Sequence, residues 1–128
     1  SDYEPAGDQP TAIRELVARQ GAGHFRVVQS SHSLDVIPSE STKLTCVRLA
    51  QSQLPEGTEL LTIGDRGALL GNDYELLTHP YSLSVDVVSG ALASCWNLLP
   101  PGCRNVAGLL HYSKWTKTQN RSFTLSIP

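Results

Sequence analysis

The chain is 128 residues long, 40% hydrophobic and 17% charged, which excludes a disordered polypeptide and fits one domain of ordinary size. Its formal net charge of −2 excludes a broad electrostatic attraction to nucleic acid or to an anionic lipid surface. No apolar run approaches the roughly 20 residues that a membrane-spanning helix needs.

The opening segment SDYEPAGDQP has no basic stretch followed by an apolar one, so no signal peptide is expected and the segment reads as a linker. Cys46, Cys95 and Cys103 are odd in number and lack metal-ligand spacing, so reduced thiols in a cytoplasmic protein are expected. Pro10 followed by TAIRELVARQ predicts a helix with Ile13, Leu16 and Val17 on one apolar face. HFRVVQ (24–29) and SLDVIP (33–38) predict two strands joined at the polar SSH. A second helix is expected from Ser41 or Thr42 to about Gln53, with Leu44, Val47 and Leu49 on its buried side. ELLTIG (59–64) lacks polar alternation, as a strand covered on both faces does.

Residues 73–77 suit a helical turn, YSLSVDVV (81–88) another strand, and SGALASCWNLLPPG a long connection. Asn105 to about Lys117 predicts a helix with Val106, Leu109, Leu110 and Tyr112 as core contacts, and SFTLSI (122–127) a terminal strand. Helices and strands alternating after residue 40 predict an α/β layer with a parallel sheet.

In an open parallel sheet, ligands bind beyond the carboxyl ends of the strands. Asp65 takes that position after strand 59–64, and Gly64 and Gly67 let backbone approach a ligand closely. A carboxylate there suits Mg²⁺, and Asn72 and Asp73 offer an amide oxygen and a second carboxylate. Bringing the two aspartates to about 4 Å costs roughly 4 kcal/mol at an effective dielectric near 20, which a cation offsets. A second explanation stays open on these residues alone: Asp73 caps a helix and Asp65 closes a turn. Lys43 lies 22 residues before Asp65. If its helix packs on strand 59–64, its ammonium reaches the same rim and neutralises a phosphoryl group.

The segment SLDVIPSESTKLTCVRLAQSQLPEGTELLTIGDRGALLGNDYELL resembles the C-terminal core of haloacid dehalogenase (HAD) superfamily phosphatases, in the Cof-like and sugar-phosphatase branches. The shared features are an acidic-apolar-Pro strand end (Asp35 to Pro38), a lysine (Lys43), a helix, an apolar strand, Gly64-Asp65 and Asn72-Asp73. The resemblance covers residues 24–86, with 105–117 similar to a final core helix. It implies a Rossmann-like parallel sheet, with residues 1–38 the linker and the end of a small α+β cap, and 39–128 the second half of the core. It implies that Asp65, with Asn72 and Asp73, binds Mg²⁺ and that Lys43 is the catalytic lysine against the phosphoryl group.

Two features depart from the family pattern. RGALLG separates Asp65 from Asn72, where the family has a tighter spacing, and this brings Arg66 into consideration as a pocket residue or as the partner of a carboxylate. The family's nucleophile segment, Asp-x-Asp-x-Thr/Val, is not begun by Asp2, Asp8, Asp35 or Asp86. The functional expectation is therefore the C-terminal part of a Mg²⁺-dependent phosphatase for a small phosphorylated metabolite. It needs an N-terminal half in cis or in trans, with His32 in the cap hairpin facing substrate. Half a sheet exposes an edge, so a homodimer covering it is expected. The alternative is a non-catalytic interaction or scaffold domain that keeps the fold.

Overall fold

The computed structural model of the protein describes residues 9–21, 23–30, 32–91 and 93–128. Helix α1 (Gln9–Gly21) has proline in its first turn, where a missing N–H forfeits no helical bond. Gly23, at φ +97°, then turns the chain into strand β1 (Phe25–Gln29). Strand β2 (Leu34–Pro38) pairs with β1 antiparallel, Val27 opposite Val36. The hairpin expected around SSH is thus present; Ser31 within it lies outside the described residues. Ile13 and Val17 of α1 are partly buried but Leu16 is 59% exposed, so the helix presents a narrower face than its sequence suggests.

Helix α2 (Lys43–Ser52) starts where Thr42, in extended conformation, accepts the Leu44 N–H through its hydroxyl at 3.2 Å. Its expected buried side is not buried. No residue of α2 is buried, and Leu49 is 64% exposed. Leu44 and Val47 are partly covered, so the apolar stripe is sheltered at its start and open towards Leu49.

Strands β3 (Thr62–Arg66), β4 (Ser82–Val87) and β5 (Cys95–Trp96) form a parallel sheet in the order β3-β4-β5, so the protein is a mixed α/β fold. The strand predicted over 59–64 starts later and runs further. Pairing begins at Thr62, opposite Ser82, where β4 first supplies a partner. Only Thr62 of β3 is buried, because β3 is an edge strand rather than one covered on both faces. The central strand β4 carries the inner layer, with Ser82, Leu83, Ser84 and Val85 all buried.

Helix α3 (Asn105–Trp115) packs on β4. A Cβ at Gly108 would lie 3.2 Å from the Val85 Cβ, so the missing side chain lets helix and strand meet. Tyr112 and Trp115 join Leu83 and Val85 in the core, bordered by Leu61, Ile63, Leu98, Leu99 and Leu125. The buried Tyr112 hydroxyl donates to the Ser84 carbonyl at 2.9 Å and accepts the Leu98 N–H at 3.0 Å, which ties α3 to β4 and to the chain after β5. Burial holds its pKa above the ordinary phenol value. The other core contacts expected on α3 point outward: Val106 is 72%, Leu109 48% and Leu110 55% exposed. Strands β6 (Thr116–Gln119) and β7 (Ser122–Leu125) close the chain as an antiparallel hairpin, in which β7 is the expected terminal strand. Among the described residues no helix is long and apolar enough to cross a membrane.

Candidate functional site

The rim of the sheet at the carboxyl end of β3 is built by a strand that loses its partner. The β3–β4 register breaks between Gly64 and Arg66, leaving Asp65 without a residue opposite it. The chain then turns back on itself. The Gly67 N–H donates to the Val87 carbonyl at 3.0 Å, the Gly71 N–H to the Ala68 carbonyl at 2.7 Å, and the Asp73 N–H to the Arg66 carbonyl at 3.3 Å. The longer spacing in RGALLG therefore forms a closed loop that brings Asp73 back beside Asp65. A short 3₁₀ turn, Leu76–Thr78, replaces the predicted helical turn, and the Leu77 N–H bonds back to the Asp73 carbonyl at 2.9 Å.

Asp73 is 5% exposed, and both of its carboxylate oxygens are engaged. Oδ1 accepts from the Lys43 ammonium, and Oδ2 accepts the backbone N–H of Asp65 at 2.9 Å. Burial alone would raise the Asp73 pKa. The Lys43 ammonium and the Asp65 N–H outweigh it and hold the carboxyl below its ordinary value. Asp65 goes the other way: burial raises its pKa, the neighbouring Asp73 carboxylate raises it further, and the Arg66 charge opposes both only in part. Gly64 makes room for this arrangement, since a Cβ there would lie 2.8 Å from Asp73 Oδ2 and 2.9 Å from its carboxyl carbon.

Lys43, Gly64, Asp65, Arg66, Asn72 and Asp73 thus gather at one rim. Lys43 arrives from the first turn of α2, half exposed, with its charge turned onto Asp73. The Asn72 Oδ1 is buried without a hydrogen-bond partner among the described residues. His32 does not join the group; it is exposed at the tip of the β1–β2 hairpin, where its N–H bonds to the Ser30 hydroxyl at 3.2 Å. The hairpin is tied to the rim elsewhere. The Gln29 N–H donates to the Leu70 carbonyl at 2.8 Å, and Arg26 pairs with Glu75 at 2.9 Å.

Sequence reasoning missed a concavity of about 370 Å³ at the carboxyl ends of β4 and β5, where Asp86, Asn97 and Arg104 meet. Its Arg104–Asp86 contact is loose, at 3.7 Å. The two-residue strand β5 gives no periodic signal, so the sequence offered no means of placing Asn97 beside Asp86.

Among the described residues there is no group of three or more His, Cys, Asp or Glu side chains able to hold a metal ion. The oxygen donors at the β3 rim are two carboxylates and one amide. Comparison with family models, with curated proteins and with solved structures returns no match.

Proposed function

We propose that the chain is the C-terminal part of a Mg²⁺-dependent, HAD-like phosphatase acting on a small phosphorylated metabolite. In this reading residues 39–128 are the second half of the core and the α1–β1–β2 unit is the end of the cap. The observation that carries it is the meeting of Lys43 and Asp65 at one carboxyl-end rim through Asp73. The residues come from α2, from β3 and from the loop after it, and nothing but a tertiary fold brings them together.

The donor set suits Mg²⁺. Asp65 keeps a carboxylate whose ionised form is disfavoured in the free protein, and Asn72 keeps a buried oxygen with no donor. Both conditions are relieved by a hard cation that takes oxygen ligands and retains several waters. Asp65 and Asn72 would hold it, with Asp73 supporting them. When bound, such an ion supplies positive charge against phosphoryl oxygens.

The other steps belong to the protein. Asp73 fixes the Lys43 ammonium, which neutralises a phosphoryl oxygen as a point charge. A phosphoaspartyl route also needs a nucleophile and a general acid or base. Those come from an N-terminal half, in cis or in trans, which would also cover α2. A cytoplasmic setting fits the same reading, since Cys46, Cys95 and Cys103 are free thiols.

Calorimetry with Mg²⁺ tests the assignment. The wild-type chain is expected to bind weakly and Asp65→Ala not at all; equal affinity for the two would remove the metal from this rim. Phosphatase activity is expected only when a strand ending in Asp-x-Asp is supplied. Magnesium binding without activity in such a completed chain would favour the alternative, a non-catalytic domain that keeps the fold.

A further inference from the structure

Among the described residues, three arginines bury an Nε that has no hydrogen-bond partner: Arg14, Arg26 and Arg66. Two of them engage other atoms of the same guanidinium. Arg14 Nη2 donates to Gln29 Oε1 at 2.9 Å, and Arg26 Nη2 donates to Glu75 and to the Ser41 carbonyl. The Arg66 side chain has no hydrogen bond and no ion pair among the described residues.

The backbone at Arg66 is tied into a closed loop. Its carbonyl accepts the Asp73 N–H, and the next residue is locked to β4 through Val87. A Cβ at Gly67 would lie 2.7 Å from the Val87 carbonyl oxygen, and one at Gly71 would run into the Arg66 carbonyl. The loop that joins Asp65 to Asp73 thus carries, among the described residues, a donor without an acceptor, Arg66 Nε, and an acceptor without a donor, Asn72 Oδ1. A buried unpaired polar group costs about 1–3 kcal/mol, and these two do not satisfy one another.

The charges say what would satisfy the arginine. The Lys43 ammonium is already engaged by Asp73, whereas the Arg66 guanidinium, whose charge acts on Asp65, has no ion pair among the described residues. Its planar fork presents five donors in a geometry that matches phosphate oxygens, which a single ammonium does not.

We infer that Arg66 is an anion-binding residue that grips the phosphoryl oxygens of the substrate directly, which makes a fork of donors, and not Lys43 alone, the determinant of phosphate recognition at this rim. The inference rests on the phosphatase reading for the identity of the anion. The ligand chemistry, a phosphoryl group with free oxygens, is shared by a monoester and by free phosphate.

Titration calorimetry of the chain with inorganic phosphate and, separately, with phenyl phosphate tests it, alongside Mg²⁺ titrations. Arg66→Gln is expected to weaken both anions about 10-fold to 100-fold, the range of a charge-assisted hydrogen bond. Its Mg²⁺ affinity should be retained. Arg66→Lys keeps the charge and loses the fork, and it is expected to stay weakened; it also serves if Arg66→Gln fails to fold. Loss with inorganic phosphate alone would overturn the assignment to an ester. Wild-type affinity in Arg66→Gln, full recovery in Arg66→Lys, or no binding of either anion by the wild type would each overturn the inference. If Mg²⁺ binds and the anions do not depend on Arg66, the metal assignment survives without it. If Mg²⁺ does not bind while anion affinity falls in Arg66→Gln, Arg66 stands and the metal assignment fails.

Discussion

Asp65 and Asp73 are eight residues apart and respond to the fold in opposite ways. The Asp73 pKa is lowered from 3.8. Its contribution to stability is therefore present above that value and lost as pH falls through the lower, folded pKa. Asp73→Asn should remove this contribution, so its stability should respond less to acid than the wild type in that window; urea midpoints against pH provide the measurement. The Asp65 pKa is raised from 3.8, so folding is favoured below 3.8 and loses stability as pH rises through the folded value. Asp65→Asn should consequently raise the urea midpoint of the protein at neutral pH, while the proposed Mg²⁺ binding is lost. Gly64→Ala places a methyl against the Asp73 carboxylate. Overpacking of this kind costs about 1–3 kcal/mol, and Mg²⁺ affinity should fall with it, because Asp73 can no longer hold the Asp65 N–H. Mg²⁺ affinity equal to wild type in Gly64→Ala would mean that Asp73 does not organise the rim.

At the scale of elements, α2 and β4 are opposites. β4 has four consecutive buried residues, whereas α2 has none and is held at its start by Lys43–Asp73 and the Thr42 cap. Hydrogen exchange should therefore be faster throughout α2 than in β4. Lys43→Ala, which leaves Asp73 buried without its cation, should accelerate exchange in α2 more than anywhere else; uniform acceleration would mean that the pair does not anchor the helix. Tyr112→Phe should cost about 1–3 kcal/mol, because the buried Ser84 carbonyl loses a donor and the Leu98 N–H loses an acceptor. The start of α2 and the β1–β2 hairpin were legible because Thr42 and the polar SSH act locally. α3 was legible as a helix but not in its orientation: Leu109 and Leu110 are as apolar as Tyr112 and Trp115, and apolar residues on several sides give periodicity no face to choose. β5 and β6 were missed because such short ladders exist only through their partners. At the rim, Lys43 and Asp65 could be singled out from spacing. The engagement of Lys43 by Asp73 could not, since it depends on the path of a loop that the sequence does not fix.

Over the whole molecule, apolar side chains that helices and sheets normally cover remain in the open. Leu49 on α2 and Val106, Leu109 and Leu110 on α3 are each between 48% and 72% exposed. The sheet also ends at β3, a five-residue strand, on one side, and at the two-residue β5 on the other. Short edges are poor templates for pairing and longer ones invite it, so the side of β3, next in sequence to the largely exposed α2, is where association should begin. Scattered surface leucines are ordinary, but helices whose apolar sides face outward leave a driving force of about 25 cal/mol for each Å² that a partner removes from water. Sedimentation velocity should accordingly show mass rising with concentration over about two decades, as mass action requires. Leu49→Glu combined with Leu110→Glu should return the chain to monomer without unfolding it, because both positions are exposed and surface substitutions there are worth about 0.5 kcal/mol or less. A concentration-independent monomer would show that these faces do not drive self-association, and would leave a separate N-terminal half as the partner to test on α2.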